Sequence, residues 1–354
     1  RRPSPAGFPA SCMASSLEAT LSRAWLRRGA LAVALWPLSL LFRLLAALRV
    51  ALYRAGILKA ERLPVPVVVV GNIFIGGTGK TPLTIWLAQQ LRAAGMRPGV
   101  ISRGHGGAED APREVLATSR AQDVGDEPLL IASRAGCPVV VGRLRAAAGR
   151  RLLELHPDVD VLITDDGLQH YALARDVEIV LFDGRGTGNG WTLPAGPLRE
   201  APSRRRDFTV VNAPEIGPAL AAAVGGAPWQ MRLAGDCAER LMDAGERVPL
   251  SALRGKRVLA AAGIGNPGRF FAMLRAAGLT VAELPLPDHH DFRDDPFRAV
   301  DADIILVTEK DAVKCRQLEH INNDPRLWVV PVGAQIDAAL AAQIVEKCRG
   351  RPTA

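Results

Sequence analysis

Hydrophobic positions along the chain fall into two regimes. From Trp25 to Gly56 they run almost unbroken, WLRRGALAVALWPLSLLFRLLAALRVALYRAG, with Arg43, Arg49 and Arg54 the only charges after Gly29. After Leu63 the texture changes to short apolar runs rich in β-branched residues, at 65–70, 138–141, 159–164, 177–182 and 208–211. Continuous hydrophobicity over so few residues predicts strands buried on both faces of a parallel sheet. Stretches of helical period lie between several of them: Pro82 to Ala94, which sets Leu83, Leu87 and Leu91 on one face, and Arg143 to His156. A second series of runs, near 257–261, 280–284, 303–307 and 327–331, follows the Ala- and Gly-rich stretch Gly217 to Pro228, which marks a boundary. The pattern predicts two parallel-sheet α/β domains behind an N-terminal helix, with no internal repeat.

The N-terminal run has 14 uninterrupted apolar residues, Gly29 to Phe42, with Pro37 inside. A spanning helix needs about 20. The pattern therefore predicts a helix lying in a membrane interface, or a short anchor whose arginines snorkel, with Trp25, Trp36 and Tyr53 at headgroup depth. A secretory signal and a helix packed on the protein's own surface are the alternatives. Residues 1–12, which hold three prolines ahead of Met13, read as upstream sequence and are left out of the fold expectation.

Composition narrows the function classes. The 354 residues are 48% hydrophobic and 23% charged, a globular balance with room for two domains. Aromatics make up only 5%, which disfavours stacking on single-stranded nucleic acid, and no nucleic-acid partner is expected. The net charge of +8 suits an anionic partner. Five cysteines, at 12, 137, 237, 315 and 348, show no paired spacing and read as reduced thiols.

The strongest chemical signal is VVVVGNIFIGGTGKTP at 67–82. A buried strand ends at Gly71, a glycine-rich loop follows, and Lys80-Thr81 open a helix. In that setting the backbone N–H groups of Phe74, Ile75, Gly76, Gly77, Thr78 and Gly79 wrap phosphate oxygens. Lys80 would reach the β- and γ-phosphates of ATP, and the Thr81 hydroxyl would ligate Mg²⁺. The strict pattern asks for glycine at position 74, where this chain has Phe74. The expected fold class is thus a P-loop NTPase-type sheet domain (61–224) with a smaller α/β domain (225–354) and a membrane-associating N-terminal segment (1–60).

Other segments carry chemistry with less local certainty of role. VDVLITDDGLQH at 159–170 is a strand ending in Asp165-Asp166, a placement that suits Mg²⁺ at a P-loop site; a DDG turn is the plain alternative. Asp126-Glu127 in VGDEPLL fit a helix start, and His289-His290 in LPLPDHHDF follow a predicted strand. Spacing alone does not connect these two segments. The Gly/Pro-rich stretch 183–206 presents Arg199, Glu200 and three arginines at 204–206, suited to phosphate or to a solvated basic patch. AAAGIGNPGRFF matches a dinucleotide fingerprint on paper, but Pro267 removes an N–H from the loop.

Together the blocks PVPVVVVGN…GGTGKTP, VISRGHGG, VGDEP, VDVLITDDGLQH, LPAGPLRE, AGIGNPGRF, PDHHDF and VTEKDAVK resemble the tetraacyldisaccharide 4′-kinase family of lipid A synthesis. The resemblance implies transfer of the ATP γ-phosphate to the 4′-hydroxyl of an acylated glucosamine disaccharide 1-phosphate, at the cytosolic face of the inner membrane, with no obligatory protein partner. It also implies a catalytic base, Asp126, paired with His289. Asp165 and Asp166 match the family's carboxylates. Arg103, Glu127, Gln169, His170, Arg199 and Glu200 match positions expected to support substrate or active site. His105 and Thr187 stand where the family often has an aromatic. The rival class is a membrane-associated P-loop ATPase switching a protein partner.

Overall fold

In a computed structural model, residues 24–104 and 111–350 are described; His105 and residues 1–12 lie outside them. Helix α1 (Ala30–Arg54) precedes the first lobe. The chain then runs β1 (Val67–Gly71), α2 (Lys80–Ala93), β2 (Pro98–Ser102), β3 (Arg113–Glu114), α3 (Ala121–Val124), α4 (Asp126–Ala135) and β4 (Val139–Val141). It continues through α5 (Arg145–Leu155), β5 (Val161–Asp165), β6 (Val177–Asp183), β7 (Phe208–Asn212), α6 (Pro218–Val224) and β8 (Trp229–Ala234). The second lobe contains β9 (Cys237–Arg240), β10 (Arg247–Pro249), β11 (Val258–Ala262), α7 (Pro267–Ala276), β12 (Val281–Pro285), β13 (Ile304–Thr308), α8 (Glu309–Cys315), α9 (Glu319–Asn322) and β14 (Leu327–Val330). The last elements are β15 (Gly333–Ile336) and α10 (Ala338–Arg349).

Two sheets organise these elements. The first has nine strands in the order β15-β8-β7-β6-β1-β5-β2-β4-β3, parallel except for the two edge strands. The second has six, β10-β9-β14-β13-β11-β12, parallel from β14 to β12. The valine run of β1 shows why the central strands read as continuous: Val67 and Val69 enter the core on one face of the sheet, Val68 and Val70 the core on the other. All nine strands foreseen from hydrophobic runs are present within a residue or two.

The boundary expected at 224/225 does not coincide with the change of sheet. Strand β8 pairs in parallel with β7, and β15 returns from the second lobe to pair with β8. Helix α10 then lays Leu340, Ile344 and Val345 into the core beside Leu83, Leu87 and Leu91 of α2. The second lobe is therefore a segment inserted between β8 and β15. The alanine-rich stretch that suggested a boundary forms α6 and a turn of the first lobe, because Val224 packs into its core.

Helix α1 is continuous for 25 residues, with Pro37 inside. It is long and apolar enough to cross a membrane by length and composition. Only Ala32 and Ser39 are buried, while Leu38, Leu41, Leu44 and Leu45 are exposed. Its hydrogen bonds to the lobe fall on the loop between β6 and β7, and its C-terminal turn meets the loop between β5 and β6. The Ser39 hydroxyl donates to Thr192 O (2.6 Å) and accepts from Ala195 N–H (2.9 Å). The three aromatics expected at headgroup depth also meet protein: Trp25 Nε1 donates to Pro194 O, Trp36 lies beside Trp191, and Tyr53 beside Tyr171. Cys137, Cys237 and Cys315 are free thiols.

Candidate active site

The loop after β1 is built around one buried side chain. Asn72 Nδ2 donates to Phe74 O (2.7 Å) and lies within 3.1 Å of both Gly76 O and Thr78 Oγ1. These contacts fix the curl of the loop ahead of α2. Of the N–H groups expected to wrap phosphate, that of Ile75 does not, because it donates to Pro197 O. Gly79, just before Lys80, has φ 102°, and a Cβ there would stand 2.7 Å from Asn212 Nδ2. Asn212 is held in place by donating to Thr78 O at 2.8 Å. Only glycine combines that φ with that close approach.

Phe74 occupies the position where the strict motif has glycine without needing left-handed backbone, since its φ is not positive. Its side chain is buried beneath the Arg185 guanidinium at 4.2 Å, so it offers a nucleotide only its backbone. Phe74 bridges to Leu198, and Ile75 N–H donates to Pro197 O (2.9 Å). The LPAGPLRE segment thus braces the outer side of the phosphate loop.

Strand β5 lies beside β1 with Asp165 opposite Val70, which delivers the acidic pair to the same end of the sheet. Asp165 is buried and has only long partners, Thr84 Oγ1 at 3.3 Å and Ser102 Oγ at 3.4 Å. Burial, with Glu127 nearby, pushes its carboxyl up to about 7 against the pull of Lys80. Asp166 adopts a left-handed φ of 50° and is shared between Lys80 Nζ (3.8 Å) and Arg199 Nη1 (3.3 Å). Thr81 follows Lys80 in the first turn of α2, half-buried. Gln169 and Glu200 bond each other (2.9 Å), and Tyr171 OH donates to Glu200 at 2.6 Å. Burial and the guanidinium groups of Arg145 and Arg103 push the His170 imidazole down to about 4. Of the three successive arginines, Arg204 is consumed by Glu178 and Glu200, and Arg206 by Thr209 Oγ1 and Pro202 O.

The second lobe closes this end of the sheet. A Cβ on Gly265, in the loop between β11 and α7, would stand 3.6 Å from Gly77 N, so the two glycine loops abut. The turn after β12 brings His289 over the first lobe in a left-handed φ of 60°. Its Nδ1 lies 3.2 Å from Asp126 Oδ2, joining residues 163 positions apart. Asp126 opens α4 behind Gly125, whose φ of 92° and ψ of 151° few other residues adopt. Burial alone would raise the Asp126 carboxyl. The His289 hydrogen bond and the Lys310 and Lys314 ammoniums outweigh it and hold the group well below the usual carboxylate range. The hydrogen bond to Asp126 in turn raises His289.

Two of these groups were missed by sequence reasoning. Lys310 and Lys314 stand at helical i,i+4 spacing in α8, within the VTEKDAVK block, which was singled out without a role. Their signal was two cations on one helix face directly after a parallel strand. Among the described residues, no group of three or more His, Cys, Asp or Glu converges as a metal site.

A glycine loop opening a helix at the end of a central parallel strand, with carboxylates on the neighbouring strand, defines a nucleotide-binding protein of the P-loop class. The family model described as Tetraacyldisaccharide-1-P 4′-kinase matches residues 31–349. A tetraacyldisaccharide 4′-kinase of Herminiimonas arsenicoxydans is 60% identical, over 98% of this chain and all of that protein. The one from Janthinobacterium sp. (strain Marseille) is 62% identical, over 96% of this chain and 99% of its own. A crystal structure of LpxK from Aquifex aeolicus in complex with ATP superposes with a TM-score of 0.74 at 29% identity, over 90% of this chain and 99% of that one. The chain belongs to the tetraacyldisaccharide 4′-kinase family.

Proposed function

We propose that this chain transfers the γ-phosphoryl group of ATP to the 4′-hydroxyl of an acylated glucosamine disaccharide 1-phosphate, giving lipid IV-A, and that it does so at the cytosolic face of the inner membrane. The observation that carries the reading is the Asp126–His289 contact at 3.2 Å, made between lobes beside the phosphate loop. A sugar hydroxyl at neutral pH needs a base aimed at its proton as the new bond to phosphorus forms. Asp126, held as carboxylate, accepts that proton, and His289 orients it. Lys80 and the loop N–H groups bind the β- and γ-phosphates, where charge spreads in the transition state. Arg199 and Glu200, with Gln169, His170 and Arg103, line the approach for the acceptor. The ATP complex of the Aquifex aeolicus relative supports ATP as the donor.

The residues present fit Mg²⁺. That ion takes one or two carboxylates plus waters and phosphate oxygens, and the buried Asp165, with its two long hydrogen bonds, is short of a cation. Thr81, Asp165 and Asp166 would hold it, where it would neutralise charge on the bridging phosphates. The exposed leucines of α1 support attachment to a membrane surface. The test is incubation with γ-labelled ATP and the disaccharide 1-phosphate in detergent micelles. Labelled lipid is expected. ATP hydrolysis without labelled lipid would favour a partner-linked ATPase instead.

A further inference from the structure

Lys310 pulls on the Asp126 carboxyl, and it also touches the imidazole that faces that carboxyl. Thr308 caps α8 by accepting from Asp311 N–H, which places Lys310 in the first turn, at the end of β13 that faces the other lobe. Its ammonium lies 3.4 Å from His289 Nε2, 3.2 Å from Glu127 Oε1, 3.5 Å from Asp288 Oδ1 and 4.0 Å from Asp126 Oδ2. The side chain is 15% exposed. Burial would lower its pKa, but Glu127, Asp126 and Asp288 outweigh burial and keep it charged.

Donor counting bears on the state of the imidazole. An ammonium has three N–H bonds and no lone pair, so toward His289 it only donates. At 3.4 Å the partner that suits it is an unprotonated Nε2. In that state the single proton of the ring is on Nδ1, which donates to Asp126 Oδ2.

We propose that Lys310 is a positioning residue for phosphoryl transfer, holding His289 as the neutral Nδ1–H tautomer with that proton aimed at the Asp126 carboxylate. The proposal rests on Asp126 being the base. Among the described residues, the charged groups facing the ring include Asp126 and Glu127 on α4, Asp288 on the ring's own turn, and Lys310 on α8, with Lys314 behind Asp126 at 3.6 Å. The carboxylates draw His289 toward imidazolium and on balance raise it, and Lys310 limits that rise. A neutral donor orients Asp126 while leaving it more basic than a full ion pair would, which is what a proton acceptor requires.

The tautomer is measurable without turnover. The chain has six histidines, and ring ¹⁵N spectra of the full-length protein in detergent, with His289 assigned by its loss in His289→Gln, read both ring nitrogens. Wild type at neutral pH is expected to show a protonated Nδ1 and a pyridine-type Nε2. Lys310→Met should convert the ring to the Nε2–H form or imidazolium, raising its titration midpoint by about one pH unit or more. The acid limb of kcat should move by the same amount, with KM for ATP unchanged. Lys310→Arg, which keeps the charge, should retain the tautomer. An Nε2–H or imidazolium ring in wild type overturns the proposal, and that measurement needs no variant to fold. So does a Lys310→Met profile that falls uniformly with no shift. Full kcat in Asp126→Ala would instead remove the base assignment and leave the tautomer result standing.

Discussion

Arg134 at the last turn of α4 is the perturbation that best tests how the lobes are held. Its guanidinium bonds Glu239 Oε2 at 2.9 Å and Glu309 Oε1 at 2.6 Å, both on the second lobe, while Asp126 occupies the first turn of the same helix. Glu239 and Glu309 are 1% and 11% exposed. Removing one member of a buried pair costs about 3–5 kcal/mol. Here Glu239 keeps Arg247 and Glu309 keeps the Val332 N–H. Arg134 is itself 28% exposed. Arg134→Ala should therefore cost roughly 2 kcal/mol, or about 3 °C in Tm for a chain of this size. The pH dependence has a definite sign. Burial already raises the Glu309 carboxyl and Arg134 pulls it back; without Arg134 it rises further. A carboxyl that binds its proton more tightly folded than unfolded destabilises the fold above its folded pKa and is relieved as pH falls through it. The Tm deficit should therefore shrink from neutral toward acid pH, and Glu309→Gln in the same background should recover most of it. Calorimetry at both pH values, with kcat measured alongside, is the assay. A Tm within about 1 °C of wild type, or a deficit independent of pH, would refute the reasoning.

Three further outcomes are expected. Lys80→Ala should lower kcat on the order of 10³-fold with Tm unchanged; near wild-type turnover would remove the phosphate-loop assignment. Gly79→Ala, at φ 102° with Asn212 Nδ2 2.7 Å from the new Cβ, should lose about 1–3 kcal/mol in denaturant unfolding together with ATP affinity. Deleting residues 1–54 should abolish sedimentation with anionic vesicles and also lower Tm, because Ala195 N–H and Thr192 O lose Ser39. A truncated chain that still pellets with vesicles at high salt would mean that α1 is not the anchor.

What could be read from the chain, and what could not, follows from how far each feature reaches. The valines of β1 and the leucines of α2 carry their environment in their own spacing, and so did the glycine loop between them. Strand β2 stayed hidden because it begins Pro98-Gly99, residues that argue against a strand; Gly99 is there because a Cβ would strike Leu152 at 2.6 Å. Strand β15 belongs to a sheet whose other members end 99 residues earlier, a pairing no local pattern encodes. The arginines at 204–206 suit phosphate or a solvated patch by sequence; Arg204 is instead spent on Glu200, four residues earlier, and on Glu178 of β6, and that second pairing spans a loop the local pattern does not encode. Asp126 and His289 were joined only by family resemblance. Lys310 was passed over because EKDAVK is also what an ordinary helix start looks like.

The return of β15 and α10 to the first sheet has a consequence for synthesis. The phosphate-loop lobe begins at β1 but is not complete until Arg349 has left the ribosome. The inserted lobe, whose strands all lie between Cys237 and Val330, can fold earlier on its own contacts. Until the last residues arrive, β8 presents an open edge, and Leu83, Leu87 and Leu91 lack the cover of Leu340 and Ile344. A product stalled before Gly333 would carry an intact glycine loop and an intact Asp126, yet would be a sticky intermediate in place of an enzyme.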